Sequence, residues 1–340
     1  MKIANLMFGR GLGGIEQAFL DYNEALLLAG HEVLAVTHPL AAITPEITGN
    51  LIHSTLTNRG SWDVFAARRL RSVFTEWQPQ AIICHGNRAV SLALLSQYPA
   101  PVIGITHNYQ LKRFHRLDAV IAITTQLREA ALQAGVAAEK ISLIPNMVRL
   151  PAKVEENTVS LPHTPLIIGA MGRMVEKKGF HLLLDALAIL KAEGVPFILH
   201  LGGTGRQEQA LRKQATRLGI ETQVKFCGWV EDKTVFFAGV DIFCLPSLHE
   251  PFGIVLLEAM AHQRPVIAFA SEGPSEIIRQ GEAIMVEKCN VSGLAEALAN
   301  AIQRPEDLRS LASAGRALVE REYALEAISK KINTLLTTIR

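Results

Sequence analysis

Two glutamates stand eight residues apart in the run Glu250-Pro-Phe-Gly-Ile-Val-Leu-Leu-Glu258, and carboxylates so spaced can grip a hydroxyl-rich ligand at two points. A Pro-Phe-Gly turn follows the first, and the residues from Gly253 onward are good helix formers. Glu250 is therefore expected on a loop at a helix N-terminus, with Glu258 about two turns on. At 3.6 residues per turn the two positions fall within roughly a quarter-turn of each other. The amides of Phe252, Gly253 and Ile254, without intrahelical acceptors, would point at the same ligand and favour an anion. Two Glu on a surface helix ordinarily mean nothing. Here Ile254, Val255, Leu256, Leu257, Ala259 and Met260 make the helix apolar nearly all round, so it is expected to be buried, and a Glu258 carried on it needs a partner. Carboxylates for hydroxyls and amides for phosphate imply a nucleotide sugar.

Other residues fit that ligand. Arg173 and Lys178, with Lys177 beside it, lie in a strand-to-helix loop between Gly172 and Gly179. Two cations near a helix N-terminus act against its dipole unless an anion sits between them, and a diphosphate is the simplest such anion. His107 follows the apolar run Val102–Thr106, so it sits at a strand's C-terminal end; His85 also ends a strand and is the fallback, and His249 lines the Glu250 pocket. The first strand runs into Gly9-Arg-Gly11-Leu-Gly13-Gly14, a dinucleotide fingerprint by spacing. That fingerprint asks for an acid after the second strand, where Leu34-Ala-Val-Thr-His38 has none, so a nicotinamide enzyme is disfavoured. Glycines at Gly13 and Gly14 still let backbone approach a phosphate or sugar; otherwise they make a tight turn and nothing more. No D-x-D and no metal-ligand spacing occurs, so no metal is expected and charge neutralisation falls to Arg173, Lys178 and helix amides. A P-loop and a G-x-S-x-G motif are likewise missing.

These residues need elements to hold them, and the chain supplies two alternating sets. Strand-like runs Lys2–Phe8, Glu32–Thr37, Ala81–Cys84, Val102–Thr106, Ala119–Ile123 and Ile141–Ile144 alternate with helical stretches Ile15–Ala29, Val64–Trp77, Arg88–Gln97 and Gln126–Ala134, the first and last closed by Gly30 and Gly135. Met147 to Pro165 has three prolines inside it or at its end and no periodicity, and reads as a linker. The alternation restarts with Leu166–Met171, His181–Glu193, Phe197–Gly202, Gln207–Leu218, Val224–Cys227, Lys233–Ala238 and Ile242–Leu245, then Pro265–Phe269, a Gly273-Pro274 turn, and helices to Ile339. This pattern predicts two doubly wound parallel α/β domains with a ligand cleft between them. At 340 residues, 49% hydrophobic and 19% charged, the chain can bury two cores. No apolar run reaches 18 residues, and the N-terminus reads as a strand rather than a signal peptide. The four cysteines lack paired spacing, and three sit in apolar contexts, which points to buried thiols in a cytoplasmic protein. A net charge of +2 carries no nucleic-acid signal.

Several blocks, in order along nearly the whole chain, resemble the retaining glycosyltransferases of family 4, which have the GT-B fold. Pro246 through Met260 resembles their E-x7-E signature. Ile168-Gly-Ala-Met-Gly-Arg173-Met-Val-Glu-Lys-Lys178-Gly-Phe resembles the loop that carries the donor diphosphate's Arg and Lys, and His200-Leu-Gly-Gly-Thr-Gly-Arg resembles the G-x-G turn. Asp118-Ala-Val-Ile-Ala-Ile-Thr and Ile144-Pro-Asn146 resemble the end of the first domain, and Gly13 and Gly14 match a Gly-Gly before the first helix. The resemblance implies an acceptor-binding Rossmann-like domain over 1–150, a donor-binding one over 165–320, and a final helix, 321–340, packed back on the first. It implies transfer with retention from a UDP- or GDP-sugar, without cofactor or metal, by same-face attack with the donor's phosphate as base. Arg173 and Lys178 would hold the diphosphate, Lys178 being the lysine directly before the glycine; Glu250 would orient the sugar hydroxyls and Glu258 the ribose. Relatives carry His-Asp where this chain has His107-Asn108, which supports His107 as an active-site group without the neighbouring charge.

The acceptor it implies is lipopolysaccharide, glycolipid or another cell-envelope glycan, lipid-linked or anionic. The segment holding Tyr109, Lys112, Arg113, Phe114 and Arg116 would rest weakly on an anionic membrane, aromatics at the headgroups and cations on phosphates, at the inner face of the cytoplasmic membrane; a solvated loop is the plain alternative. Rival readings are a nucleotide-sugar epimerase, a sugar phosphorylase and a non-catalytic sugar-nucleotide-binding protein.

Overall fold

The computed structural model describes residues 1–47, 49–151, 164–279 and 281–339. The chain forms two compact units, Met1–Met147 with Tyr323–Arg340, and Val148–Glu322. Of the linker reading, residues 152–163 lie outside the described residues.

The first unit is built on seven parallel strands, β1 (Lys2–Met7), β2 (Glu32–Thr37), β3 (Ile52–Thr55), β4 (Ala81–His85), β5 (Val102–Thr106), β6 (Ala119–Ala122) and β7 (Ile141–Leu143), in the order β3-β2-β1-β4-β5-β6-β7. Central strands such as β4 and β5 are buried residue after residue, as a sheet covered on both faces requires. Helices α1 (Gly14–Leu28), α2 (Val64–Trp77), α3 (Asn87–Ser96) and α4 (Thr125–Gln133) connect them. Asp63 caps α2 by accepting from the Ala66 amide at 2.9 Å, and Thr124 caps α4 through Leu127 N at 3.2 Å. Gly30 and Gly135 follow α1 and α4 at positive φ.

The second unit repeats the plan with β8 (Leu166–Met171), β9 (Phe197–Gly202), β10 (Val224–Gly228), β11 (Ile242–Leu245), β12 (Val266–Phe269) and β13 (Ile284–Val286), ordered β10-β9-β8-β11-β12-β13 and parallel throughout. Its helices are α5 (Phe180–Ala192), α6 (Glu208–Arg217), α7 (Lys233–Ala238), α8 (Ile254–Ala261), α9 (Glu272–Ile277), α10 (Val291–Gln303) and α11 (Pro305–Leu318). Leu183, Leu184, Leu187 and Leu190 of α5 pack in one core with Ile168, Leu199 and Leu201 of the sheet. The last helix, α12 (Leu325–Thr338), belongs to the first unit, where Ser329 Oγ donates to Ala25 O of α1 at 2.6 Å.

Three departures from the sequence reading have local causes. The edge strands β3 and β13 are short and partly exposed, so they lack the apolar run that marks a buried strand. The Gly273-Pro274 pair lies inside α9, not in a turn. Pro274 is the third residue of that helix, where the backbone N–H it lacks would have had no intrahelical acceptor.

Candidate active site

Each sheet reverses its strand order once, between β1 and β4 and between β8 and β11. Ligands of open α/β sheets bind outside the carboxyl ends of the strands at such points. In the second unit, the loops leaving β8 and β11 carry Arg173, Lys178 and Glu250.

Those two loops are knitted together. The Leu248 and His249 amides donate to Lys177 O at 2.9 and 3.3 Å. Gly179 has φ +67°, and a Cβ there would lie 1.9 Å from Pro246 O, so a side chain at this position would force the loops apart. The closure brings the Lys178 ammonium onto the Glu250 carboxylate, with both side chains mostly shielded, 16% and 12% exposed. The Lys178 stem also runs past Gly172, next to the exposed Arg173. The expectation that only an outside anion could stand by these cations needs correction for Lys178, whose charge is met from within by Glu250.

The helical arithmetic for the Glu pair also needs correction. Gly253, at φ +105°, is the N-cap and α8 begins only at Ile254, so Glu250 lies on the preceding loop and the quarter-turn does not apply to it. Glu258 does ride on α8, whose Leu256, Leu257, Ala259, Met260 and Ala261 are buried. The partner it needs is Lys233 Nζ, 2.6 Å from Oε1, from the first turn of α7. The Phe252 side chain is buried at 4% exposure, leaving its backbone as the part able to face a ligand, while the amides of Gly253 and Ile254 stand at the opening of α8.

Glu272, the first residue of α9, braces the Glu250 loop. One oxygen is 2.8 Å from His249 Nδ1, and the other accepts from the Glu250 amide at 3.1 Å. Gly273 N donates to Glu250 O at 2.8 Å. Burial alone would raise the Glu272 carboxyl, but hydrogen bonds from its own amide, from His249 and from the Glu250 amide together hold it below the ordinary value. Sequence reading missed Lys233 and Glu272. The one signal was that Glu258 needed a cation, and nothing local said which.

In the first unit, Met7 pairs with His85 across β1 and β4, and the Gly9–Gly14 loop leaves β1 at that same edge. Gly13 is the N-cap of α1, its O accepting from Gln17 N at 3.0 Å, and Gly14 opens the helix. Arg10 Nη2 is 3.0 Å from His38 Nε2. Burial, then the charges of Arg10 and Arg88, lower the His38 pKa.

His85 and His107 form a pair, with His85 Nδ1 3.0 Å from His107 Nε2 and the rings stacked. Phe19 and Tyr22 of α1 meet His85 edge-on. Burial lowers His107 to about 4 and drives His85 well below its ordinary range, with the His107 charge adding to the latter effect. Both rings are neutral at pH 7. Among the described residues His85 Nε2 and the Tyr22 hydroxyl have no hydrogen-bond partner.

One expected surface contact is overturned. Phe114 is 1% exposed and packs in the core beneath Gly104, where a Cβ would come within 2.9 Å of its ring, so it cannot meet lipid headgroups. Tyr109 is exposed and bonded to Gln126 Oε1 at 3.1 Å; Lys112 and Arg116 are exposed, and Arg113 reaches Ser61 O at 3.5 Å. Cys84 and Cys244 are buried, Cys227 is half-buried, Cys289 is exposed, and all four are free thiols. Among the described residues, no helix is long and apolar enough to cross a membrane, and no group of three or more His, Cys, Asp and Glu is placed to hold a metal ion.

Known proteins share both halves of this arrangement. Residues 153–318 match the glycosyl transferases group 1 and residues 12–150 match glycosyltransferase family 4. The lipopolysaccharide core biosynthesis glycosyltransferase LpsE of Rhizobium meliloti (strain 1021) is 30% identical, over 99% of this chain and 99% of its own. The chain belongs to glycosyltransferase family 4. LpsD, a second lipopolysaccharide core biosynthesis glycosyltransferase of that organism, is 26% identical to this glycosyltransferase over 97% of the chain and 96% of its own. The two sheets match GT-B structures. Anabaena Alr3699/HepE in complex with UDP superposes with a TM-score of 0.83 at 22% identity, covering 99% of this chain and all of that one. The lipopolysaccharide outer core galactosyltransferase WaaB gives 0.76 at 19%, with 99% and 100% covered.

Proposed function

We propose that this glycosyltransferase moves a hexose from a UDP- or GDP-sugar, with retention and without a divalent ion, to a lipopolysaccharide, glycolipid or other cell-envelope acceptor. The observation that carries the reading is the Lys178–Glu250 pair held beside Arg173 at the switch point of the second unit. The donor binds this unit and the acceptor binds the first, near His107, Gly13 and Gly14. The acceptor oxygen bonds to the anomeric carbon as the bond to the diphosphate breaks, and its proton passes to the leaving phosphate. Arg173, Lys178 and the amides of Phe252, Gly253 and Ile254 stabilise the charge that develops there. Glu250 orients sugar hydroxyls and Glu258 the ribose. The UDP-glucose complex of the Anabaena structure supports a UDP donor, and LpsE and LpsD support a cell-envelope acceptor reached from the inner face of the cytoplasmic membrane.

The test is thermal stabilisation by UDP-, GDP- and ADP-sugars, since a specific donor stabilises the fold by mass action. Transfer is then assayed with excess EDTA, and the product anomer is read by NMR. One UDP- or GDP-sugar should stabilise the protein, and turnover should survive chelation with the configuration kept. Turnover lost to EDTA and restored by magnesium or manganese would refute the metal-free step, and an inverted product would refute retention.

A further inference from the structure

With Phe114 in the core, the basic segment keeps one exposed aromatic of its own, Tyr109 at 42%, and the exposed aromatics beside it are Trp62 and Phe65, at 70% and 74%, next to Val64 at 49%. They lie where the loop after β3 enters α2, and the loop is rigidly built. Asp63 accepts from both the Arg59 and Ala66 amides at 2.9 Å, Arg69 donates to Thr57 O at 3.0 Å, and Trp62 lies over Gly60. A backbone held this firmly makes the apolar side chains it carries a displayed surface, not a frayed end.

The charge around them has one sign. Arg68 and Arg69 follow Phe65 by three and four residues, on the same side of α2, and both are exposed, as is Arg59. On the other flank Arg113 reaches Ser61 O, beside Trp62, and brings the Lys112–Arg116 segment to the patch. Across residues 57–72 and 109–117 the single acid is Asp63, buried and engaged as the α2 cap. A soluble polyanion would use the cations, but it gains little from Phe65 and Val64, which have no hydrogen-bonding groups. A bilayer surface uses both, phosphates for the cations and the acyl boundary for the apolar tips.

We infer that Trp62, Val64 and Phe65, ringed by these arginines and lysine, dock the first unit on an anionic phospholipid surface. The patch follows the carboxyl end of β3, the same sheet edge on which His85 and His107 lie, so docking sets that edge at the membrane where a lipid-linked acceptor is carried. The inference thereby deepens the cell-envelope reading of the function, but the surface itself is tested without donor or acceptor, so a failed docking result leaves the transfer reading to its own assay.

The full-length protein is sedimented with vesicles of phosphatidylcholine alone and with vesicles containing phosphatidylglycerol. Wild type should pellet with the anionic vesicles, less so in high salt. Trp62→Ser with Phe65→Ser should weaken that binding at least about tenfold, and Arg59→Glu with Arg68→Glu comparably, at a melting temperature close to that of wild type because these side chains are exposed. In a Trp77→Phe, Trp229→Phe background, the emission of Trp62 should shift to the blue on anionic vesicles. Equal binding to neutral vesicles, wild-type binding by the Trp62/Phe65 variant, or capture on heparin with none on vesicles would each overturn the inference.

Discussion

Glu258 and Lys233 form a pair whose carboxylate is mostly shielded, while the ammonium keeps about a third of its exposure. Glu258→Ala should lower transfer roughly tenfold to a hundredfold, as expected for losing a buried hydroxyl contact worth about 1–3 kcal/mol. Lys233→Met should act on the same pair, so steady-state rates of the double variant should fall short of the product of the single effects. Equal rates for Glu258→Ala and wild type would remove Glu258 from the site. The histidine pair predicts a pH effect of definite sign. His107 is held at about 4 against an ordinary 6.5, so the folded state prefers the neutral ring. Its contribution is complete above pH 6.5 and is lost as pH falls towards 4, by about 3 kcal/mol across that window. Urea unfolding of wild type and His107→Gln should therefore converge on acidification, and parallel curves would show that the ring is not held neutral. At this scale the sequence disclosed the groups but not their partners. Spacing and flanking residues singled out Glu250, Glu258, Arg173 and Lys178 as candidates, whereas Lys233 and Glu272 lie on other helices and meet Glu258 and the Glu250 loop only through the fold.

Among the elements, the tie between the loops after β8 and β11 decides whether Lys178 can reach Glu250 at all. Gly179→Ala puts a Cβ against the Pro246 carbonyl at a positive φ. Left-handed strain and the displaced backbone together should cost about 2–4 kcal/mol. Chemical denaturation should show that loss, and donor-induced stabilisation should weaken with it; an unchanged midpoint would mean that the loops separate freely. Most elements were legible because a strand buried on both faces reads as an unbroken apolar run, as in Ile242–Leu245, and because Gly30 and Gly135 mark helix ends. Edge strands escape that rule. Ile52-His-Ser-Thr has one apolar residue in four and pairs on one side only, so nothing in its composition demands a sheet. Helix α9 was hidden for the opposite reason, since Gly273-Pro274 is a strong turn signal that a first helical turn happens to tolerate.

For the whole molecule, the two sheets share one winding, and the chain returns to its first unit through α12 after completing the second. Ile332 and Ile328 of that helix are buried. Ile332→Ala should cost about 2–5 kcal/mol, and hydrogen exchange should show α1 losing protection while α5 and β9 keep theirs. Uniform loss across both units would mean that they unfold as one. The alternation of strands and helices made two α/β units readable from the sequence, but the ownership of the last helix was not, because its apolar stripe would suit either sheet. That ownership has a consequence for synthesis on the ribosome. The second unit is one unbroken stretch and can fold as it emerges. The first must wait, its α1 face uncovered, until some 175 intervening residues have been made and the final helix arrives. A nascent chain stopped just short of Tyr323 carries a complete second unit and a first unit whose α1 face is still uncovered, so quality control meets that face until the last helix is made.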